Sequence, residues 1–388
     1  MNIIDISIIF ASMKAKTTAK TFLLPILFSL TTICYAQNNN RDSVVKAIMA
    51  QHHIAGLSAA VIDSGKITWA GYYGYQNIAQ QKPVDAQTIF VVASTSKTVT
   101  AAALMQLYGN GKFKMNDDIN QYLPFKIINP NYPNLPVTFA QLLRHRSAIQ
   151  DNIPYMGQFW NVNKGDPTIA LGTFLKGYLV KGGKNYDATK NFYNERPDSA
   201  FHYSNVGIAL IGYLVERISG MPFEQYCKRY LFTPLEMDAA SWYLSGIDTT
   251  RLAMPYNYND SLKKFVPLGF GGFPDYPAGT LHTTAAEFAN FLIAWTQGGK
   301  FKNKEVFKRN AVQLLTPDET NLGYYTWFLR GTNKGELIYN HTGGDAGVMS
   351  FIAFNPKTKK GILFMMNSYL ESREAYIKLI NIFYYGTL

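Results

Sequence analysis

The sequence contains almost no cysteine. Its 388 residues include only Cys34 and Cys227, and Cys34 lies in a segment that we expect to be removed. A chain with one remaining cysteine has no internal disulfide, which excludes a disulfide-stabilised scaffold. Cys227 lies in the helix-like stretch FEQYCKRYLF, where we expect it to be a small packed side chain.

The sequence also lacks the paired histidines of a zinc hydrolase. Its six histidines are His52, His53, His145, His202, His282 and His341. No two of them have the H-x-x-x-H or H-x-x-E-H spacing that places two ligands on one metal ion. We therefore expect no metal and no other cofactor.

Acidic residues are few compared with basic ones. The chain has 26 Asp and Glu against 37 Lys and Arg, a net charge of +11. The basic residues are scattered and form no stripe, which argues against a nucleic-acid partner. The simplest explanation of the positive net charge is that it keeps the protein soluble. The alternative is that it attracts the protein to anionic envelope polymers or membrane surfaces.

No hydrophobic run is long enough for a membrane span. The longest run near the N-terminus, Thr21–Ala36, is interrupted by Pro25, and it is shorter than the roughly 20 residues that a spanning helix needs. Lysines precede it and polar residues follow. This pattern predicts a secretory signal peptide at 1–36 and an exported, periplasmic or secreted mature chain of 37–388. Bulky Ile33 disfavours a lipid anchor on the cysteine that follows it.

Strand patterns lie at both ends of the mature chain and helical patterns lie between them. GLSAAVIDSGKITWAGYYGYQN predicts a hairpin with its turn at Asp63–Gly65. GELIYNHTGG and VMSFIAFNPKTKKGILFMMNS predict strands near the C-terminus. We predict an α+β fold with one antiparallel sheet built from both ends, in which an α/β part (about 37–115 and 277–388) encloses a mainly helical part (about 116–276). A functional cleft is expected where the two parts meet.

The motif S-x-x-K occurs three times, at Ser43/Lys46, Ser94/Lys97 and Ser261/Lys264. Only Ser94 lies between an apolar strand-like run, TIFVVA, and a strongly apolar helix. A lysine in that setting is costly to bury without a role, and one helical turn brings Lys97 to Ser94. A serine becomes a good nucleophile when a neighbour takes its proton. Helix capping is the alternative, and it accounts for the hydroxyls of this stretch but not for the lysine.

Two further motifs supply candidate partners for the serine. FHYSNVGIALIGYLVE starts a helix, with Asn205 as a plausible cap and Tyr203 as either a second proton acceptor or an interface aromatic. NHTGGDAG, which contains the single H-T-G of the chain, begins at Asn340 and lies along a strand. Its glycines allow close approach of a ligand to the backbone, and a backbone N–H there could stabilise an oxyanion. A strand with a bulge is the alternative.

Taken together, these motifs resemble the superfamily of serine β-lactamases and penicillin-binding proteins. The resemblance covers about residues 54–368 and is closest to class C β-lactamases, D-aminopeptidases and related esterases. It is carried by IFVVASTSKTVTAAALMQLYGNGKFKMNDDINQYLP, VTFAQLLRHRSAI, FHYSNVGIALIGYLVE, PAGTLHTTAAEFANFL and NHTGGDAGVMSFIAFNP. S-x-x-K is an established signature of this superfamily.

The resemblance implies a role for each matching residue. Ser94 would be the acylated nucleophile, Lys97 would shuttle or accept its proton, and Tyr203 would act as general base and then acid. Asn205 would hold either the substrate or Lys97 by hydrogen bonds. The strand residues His341, Thr342 and Gly343 would lie along the substrate, and the N–H groups of Ser94 and Gly344 would form the oxyanion hole. The reaction would be acyl transfer to serine followed by attack of water.

The chain departs from this pattern in two places. His341 stands where lactamases and transpeptidases usually carry a lysine, and a histidine is mostly neutral near pH 7. The nearby Asp345 would further disfavour an anionic substrate. RHRSAI carries Arg146 and Ala148 where the family usually has Thr and Gly, which we interpret as a local loop change.

The sequence therefore predicts an exported serine hydrolase for an ester or amide, which includes D-amino-acid peptides. The alternatives are a true β-lactamase or D,D-carboxypeptidase, and a sensor that keeps the fold without catalysis. We expect a small-molecule or short peptide substrate, no nucleic acid, and no membrane span after signal cleavage. The loops at 155–197 and 256–276 are expected to set substrate choice.

Overall fold

A computed structural model describes residues 40–160, 165–316, 326–331 and 335–386. The predicted signal peptide, 1–36, lies outside the described residues. The chain divides into a unit of residues 1–44, of which only 40–44 are described and are helical, and a compact unit of residues 45–388.

Seven antiparallel strands form the main sheet in the order β10-β11-β12-β13-β1-β2-β3. Its members are β1 (Gly56–Asp63), β2 (Lys66–Asn77), β3 (Lys82–Pro83), β10 (Phe328–Gly331), β11 (Leu337–Asp345), β12 (Val348–Asn355) and β13 (Lys360–Met366). The remaining strands form three short pairs: β4 (Phe90–Val91) with β7 (His282–Thr283), β5 (Tyr256–Asn259) with β6 (Lys264–Pro267), and β8 (Lys300–Phe301) with β9 (Lys304–Glu305).

Ten helices accompany the strands in the described part of the chain. They are α1 (40–51), α2 (Ser96–Gly109), α3 (Phe139–Leu143), α4 (Ile153–Met156), α5 (Leu171–Leu179), α6 (Asn205–Ser219), α7 (Phe223–Cys227), α8 (Ala285–Thr296), α9 (Arg309–Leu315) and α10 (Arg373–Tyr385). A single π-helical turn, Lys228–Phe232, continues α7. Cys227 is fully buried, as its apolar setting predicts.

The predicted α+β fold is confirmed. β1, from the N-terminal part, lies between β2 and β13 and pairs with β2 from Gly56 to Asp63 and with β13 from Leu57 to Asp63. The first hairpin turns at Ser64 and Gly65, whose φ angles of 48° and 80° belong to the left-handed turns that match the twist of a hairpin. The sheet therefore requires both ends of the compact unit, as the strand patterns predict.

α2 is the central helix of the compact unit. All of its residues from Ser96 to Leu107 are buried, and it packs against α6 on one side and α9 on another. α8 lies on the sheet against β1, β12 and β13. A helix that is buried all round holds its first turn rigidly. That turn carries Lys97, and Ser94 lies in the 3₁₀ turn directly before it.

No single described helix has the length and apolar composition of a membrane span. One pair bent by 77°, Asn205–Ser219 with Phe223–Phe232, meets the length and composition test when the two helices are taken together.

Candidate active site

Ser94 lies in a strained turn at the start of α2. A 3₁₀ turn, Ala93–Thr95, precedes the helix, and Ala93 has a φ of 45°, a left-handed conformation that costs a non-glycine residue about 1–3 kcal/mol. The Val92 carbonyl fixes the turn, because it accepts hydrogen bonds from Thr95 Oγ1 at 2.8 Å and Ser350 Oγ at 2.6 Å. Strain held by the surrounding structure in this way is common at functional sites.

Lys97 is completely buried, and its ammonium group points to the serine. Nζ donates to Ser94 Oγ at 3.0 Å and to the carbonyl oxygen of Ala278 at 2.7 Å. The short 3₁₀ turn Tyr276–Ala278 therefore acts as a backbone acceptor for the catalytic candidate. These two charge-assisted hydrogen bonds offset part of the cost of burying the lysine.

The neighbouring hydroxyls hold α2 to that same segment rather than capping the helix. Ser96 Oγ accepts from the backbone N–H of Leu281 at 3.1 Å, and Thr100 Oγ1 donates to the carbonyl of Pro277 at 2.6 Å. The residues at the N-caps of the 3₁₀ turn and of α2 make no side-chain capping bond. The capping alternative for this stretch is therefore wrong.

Tyr203 lies next to the hydrogen-bonded pair of Ser94 and Lys97. Lys97 Nζ lies 4.9 Å from the centre of the Tyr203 ring. The ring stacks on His145 at 4.6 Å and lies 6.5 Å from the ring of His341. Tyr203 is 36% exposed, so its phenol ring borders the solvent-accessible side of the site. The buried ring of His145 packs against its other side.

Asp151 anchors the start of α6 and thereby the position of Tyr203. Its carboxylate accepts from Ser204 Oγ at 2.9 Å, from the backbone N–H of Asn205 at 2.7 Å and from that of Val206 at 3.1 Å. The helix cap is Ser204, whose Oγ accepts from the Gly207 N–H. The prediction that Asn205 is the cap is wrong by one residue.

Asn205 is the first residue of α6 and lies next to the site. Among the described residues its side chain makes no hydrogen bond to Lys97, whose Nζ donates to Ser94 and Ala278. The proposed contact of Asn205 with a substrate stays a prediction.

The nucleophile Ser94 lies close to one edge of strand β11. β10 pairs with β11 only from Leu337 to Asn340, so among the described residues His341–Asp345 pair with β12 alone. A Cβ on Gly343 would lie 2.4 Å from the Val92 carbonyl oxygen and 3.0 Å from the Ser94 nitrogen. Glycine is required there because any side chain would push the strand away from the serine.

The register of β11 on β12 is continuous from Tyr339↔Phe354 to Asp345↔Val348. The alternative of a bulge at the glycines is therefore wrong. Thr342 and Gly344 are exposed on the strand, whereas His341 and Gly343 are buried. Ser94 is half-buried, so a ligand can reach both its hydroxyl and the free edge of the strand.

His341 is neutral at any pH near neutrality. It is buried, and burial together with the charge of Lys97 lowers its pKa to about 3. Its Nδ1 lies 2.7 Å from the carbonyl oxygen of Thr342, and because a carbonyl only accepts, Nδ1 carries the proton. The structure therefore agrees with the expectation of an uncharged side chain where related enzymes carry a lysine.

Sequence reasoning missed His145. It lies in RHRSAI, and its Nδ1 accepts from the backbone N–H of Ser204 at 3.1 Å. Burial and the charge of Lys97 lower its pKa well below the usual value, so the ring that supports Tyr203 is neutral. In the same loop Ala148 has a φ of 57°, which explains why glycine is usual at this position in the family.

Sequence reasoning also missed Asp275, which precedes the turn that binds Lys97. The carboxyl group is fully buried. Burial and the charge of Asp151 raise its pKa to about 7, although Lys97 acts in the opposite direction. The stretch PDYPAG has no periodicity that distinguishes this aspartate from a turn residue, so no local signal could have identified it.

Comparison with known proteins gives a consistent assignment. A family model described as Beta-lactamase matches residues 41–384. Protein flp of Staphylococcus aureus (strain MRSA252) is 25% identical over 332 residues, which cover 84% of this chain and only 62% of that protein. Penicillin-binding protein 4* of Bacillus subtilis (strain 168) is 24% identical over 340 residues, covering 84% of this chain and 71% of that one.

Solved structures share the fold. A penicillin-binding protein homologue from Pyrococcus abyssi superposes with a TM-score of 0.69 at 23% identity, covering 89% of this chain and 76% of that chain. A structure from Pseudomonas syringae described as Beta-Lactamase/D-Alanine Carboxypeptidase gives a TM-score of 0.66 at 19% identity, covering 90% and 98%.

Proposed function

Because the chain belongs to the beta-lactamase family, we propose that it is a serine hydrolase that forms an acyl-enzyme on Ser94 with an ester or amide substrate. The observation that carries the proposal is the 3.0 Å hydrogen bond from the buried Lys97 Nζ to Ser94 Oγ. A lysine that is buried, bonded to a serine and placed under a tyrosine ring has no evident structural need. It fits the activation of a nucleophile.

The hydrogen bonds that Lys97 donates support separate roles for Lys97 and Tyr203 in activating the serine. Lys97 donates to Ser94 Oγ and so leaves the serine proton free to pass to another acceptor. Tyr203, at the open side of the site, is that acceptor. Tyr203 accepts the proton in its phenolate form, and the ammonium charge of Lys97 stabilises the negative charge on the phenolate oxygen before the transfer and on Ser94 Oγ as it attacks.

Acylation then follows a balanced sequence. Ser94 Oγ forms a bond to the carbonyl carbon as its proton moves to the phenolate oxygen of Tyr203, and the N–H groups of Ser94 and Gly344 stabilise the oxyanion that forms on the carbonyl oxygen. The intermediate collapses with loss of the alcohol or amine, which takes the proton from Tyr203. A water molecule then attacks the ester on Ser94 as its proton moves to the Tyr203 phenolate. The bond to Ser94 Oγ breaks, the serine oxygen takes that proton from Tyr203, and the acid is released.

The site offers little to a substrate carboxylate. His341 is neutral, and Asp345 adds negative charge at the end of the same strand. A neutral or cationic ester or amide, which includes D-amino-acid peptides, therefore fits better than an anionic β-lactam.

The chain provides its own control for the test, because Ser261 and Lys264 repeat the S-x-x-K spacing on an exposed hairpin. With p-nitrophenyl acetate as substrate, Ser94→Ala, Lys97→Ala and Tyr203→Phe should each lower kcat/KM by about 10²–10⁴-fold, the usual contribution of a nucleophile or general base. Ser261→Ala and Lys264→Ala should leave it unchanged. Hydrolysis by the folded Ser94→Ala variant at the wild-type rate would refute the assignment.

We also propose that the enzyme works outside the cytoplasm, on the basis of the apolar segment Thr21–Ala36. The mature protein from its host should begin near Gln37 by N-terminal sequencing, and a chain that retains the segment would argue against export.

A further inference from the structure

One buried hydroxyl joins the main sheet to the turn that carries the nucleophile. Ser350 lies on β12 and is fully buried. Its Oγ donates to the Val92 carbonyl oxygen at 2.6 Å, across 258 positions of the chain. The 3₁₀ turn that holds Ser94 begins directly after Val92. Ser350 therefore connects the sheet with the backbone just before the nucleophile.

Gly343 makes this connection possible. It is opposite Ser350 in the register of β11 on β12, and side chains of residues directly opposite each other on paired strands lie on the same face of a sheet. A Cβ on Gly343 would lie 2.3 Å from Ser350 Oγ, 2.4 Å from the Val92 carbonyl oxygen and 3.0 Å from the Ser94 nitrogen. The serine hydroxyl thus occupies space that a side chain at position 343 would need.

The Val92 peptide is also held by contacts outside β12. Thr95 Oγ1, within the turn, lies 2.8 Å from the carbonyl oxygen of Val92 and 3.1 Å from Ser350 Oγ. Each hydroxyl has a single proton, so the two hydroxyls supply two hydrogen bonds among these contacts. The backbone N–H of Val92 donates to the Leu281 carbonyl at 2.8 Å. The contact of Thr95 holds the turn to itself, whereas the bond from Ser350 holds it to β12.

The backbone N–H of Gly344 points to the free edge of β11. A two-residue turn connects β11 to β12, so the pair that closes it, Asp345 and Val348, is hydrogen-bonded. Hydrogen-bonded and non-hydrogen-bonded pairs alternate along antiparallel strands. The next pair, Gly344 and Met349, is therefore not hydrogen-bonded, and the Gly344 N–H points away from β12.

The Ser94 N–H is the other donor of the proposed oxyanion hole. It has no acceptor among the described residues, as is usual for an N–H in the first turn of a helix. One donor thus belongs to the nucleophile turn and the other to β11. An oxyanion has to lie about 2.7–3.1 Å from both, so its stabilisation depends on how the turn is held against the sheet.

Strain in the turn gives the bond from Ser350 a measurable effect. Ala93 has a φ of 45°, a conformation that persists only where the surrounding structure imposes it. Without the Ser350 hydroxyl, the Val92 carbonyl keeps a side-chain bond only from Thr95, within the same turn. The turn can then relax and move the Ser94 N–H relative to that of Gly344.

We propose that Ser350 is a positioning residue for acyl transfer: by joining β12 to the Val92 carbonyl, it sets the distance between the N–H groups of Ser94 and Gly344 that stabilise the oxyanion. This inference rests on the proposed function and adds to it the residue that aligns the oxyanion hole. Ser350 acts through the turn and not on the substrate, because it is fully buried against Gly343.

Two substrates that differ in one atom test the alignment of the oxyanion hole. p-Nitrophenyl acetate develops its negative charge on oxygen. Its thiono analogue, in which sulfur replaces the carbonyl oxygen, develops the charge on sulfur, a larger atom and a weaker acceptor. The ratio of kcat/KM for the ester to that for the thionoester therefore measures how well the two N–H groups fit an oxyanion. Both substrates release p-nitrophenol, which is measured by its absorbance.

Ser350→Ala should lower this ratio at least about tenfold, because one donor of an oxyanion hole contributes about 10²–10³-fold in rate. Ser350→Cys, which keeps the size of the side chain but has only a weak donor, should lower it as well. Thr95→Val should lower the ratio less than Ser350→Ala does, because the bond to β12 remains.

Ser58→Ala is the matched control. Ser58 is a buried serine of the same sheet, on β1, and its hydroxyl has no hydrogen-bond partner among the described residues. Its loss should leave the ratio unchanged, so a fall in Ser350→Ala alone is due to the bond and not to the removal of a buried hydroxyl from the sheet.

The outcomes separate this inference from the proposed function. General damage to the fold lowers both rates together, so a wild-type ratio in both Ser350 variants overturns the inference, while Ser94-dependent hydrolysis keeps the hydrolase assignment. A fall in Thr95→Val that equals the fall in Ser350→Ala also overturns the inference, since the turn would then be held by its own hydroxyl. If the wild type hydrolyses neither substrate and Ser94 accepts no label, the proposed function fails and the inference with it.

Discussion

Lys97 is the residue whose environment needs the most explanation. An isolated buried ammonium group costs several kcal/mol, and this one is fully buried. Two hydrogen bonds, to Ser94 Oγ and the Ala278 carbonyl, each contribute about 1.5–3 kcal/mol, and the face of the Tyr203 ring lies 4.9 Å away. Two of these three groups, Ser94 and Tyr203, are also the groups that the proposed reaction uses.

Asp275 gives a prediction about stability and pH. The unfolded carboxyl group titrates near 3.8 and the folded one at about 7, so between these values only the folded chain keeps the proton. The stabilising contribution of the group is therefore complete below pH 3.8 and is lost as the pH rises through 7.

Asp275→Asn removes this titration and should be more stable than the wild type at pH 8, by up to about 4 kcal/mol at 1.36 kcal/mol per pKa unit. The two proteins should converge towards pH 4. Urea denaturation at several pH values measures the difference, and a stability gap that does not grow between pH 4 and pH 8 would contradict the burial argument.

At the scale of elements, α6 is held in place by one carboxylate. Asp151 accepts from two backbone N–H groups at the start of the helix and from the hydroxyl of its cap, Ser204. Tyr203 immediately precedes that cap. The position of the phenol therefore depends on the docking of the helix start.

Asp151→Asn places amide protons against these donors and should destabilise the protein by about 1–3 kcal/mol. It should also lower kcat for p-nitrophenyl acetate at least about tenfold, because a misplacement of about 1 Å can cost about 10²-fold in rate. Asp248→Asn is the control: Asp248 caps an exposed turn through Thr250. It should change stability by less than about 1 kcal/mol and kcat not at all.

The sequence predicts some of these elements well and others poorly. The first hairpin and α2 follow from local pattern, because period and turn residues are visible in a short stretch. The close approach of Gly343 to the nucleophile turn does not, since the glycines predict only room for a ligand. The α6 cap is misplaced by one residue, since Ser and Asn are both strong caps.

The contacts of His145, Asp151 and Asp275 could not be predicted from local pattern. His145 and Asp151 bond to residues more than 50 positions away, and the turn that Asp275 precedes binds Lys97 across 181 positions. Only the folded chain brings these partners together. Polar side chains of this kind have no periodic signature of their own.

At the scale of the whole molecule, the order of the sheet explains how distant segments meet. β1 joins β13 to β2 in the interior of the sheet, so the C-terminal strands lie in the same sheet as the N-terminal hairpin. β11 then runs beside the turn that opens α2, and α6 packs on α2 from the helical part. Ser94, Tyr203 and His341 thus meet where the sheet and the helical region join, which is the place that the sequence predicts for a cleft.

This arrangement of elements favours Ser94 as the single nucleophile, which is the central claim. Ser94 combines a strained turn, a buried lysine and a free strand edge, whereas Ser261 has the same S-x-x-K spacing in an exposed loop. A reagent that reacts with activated serines should therefore distinguish the two.

Covalent labelling with a fluorophosphonate, followed by mass spectrometry of the intact protein and of its peptides, tests this claim most directly. The account predicts one adduct per chain, located on the peptide that contains Ser94, absent from Ser94→Ala and retained in Ser261→Ala. An adduct on another residue, or one that survives in the folded Ser94→Ala variant, would contradict it.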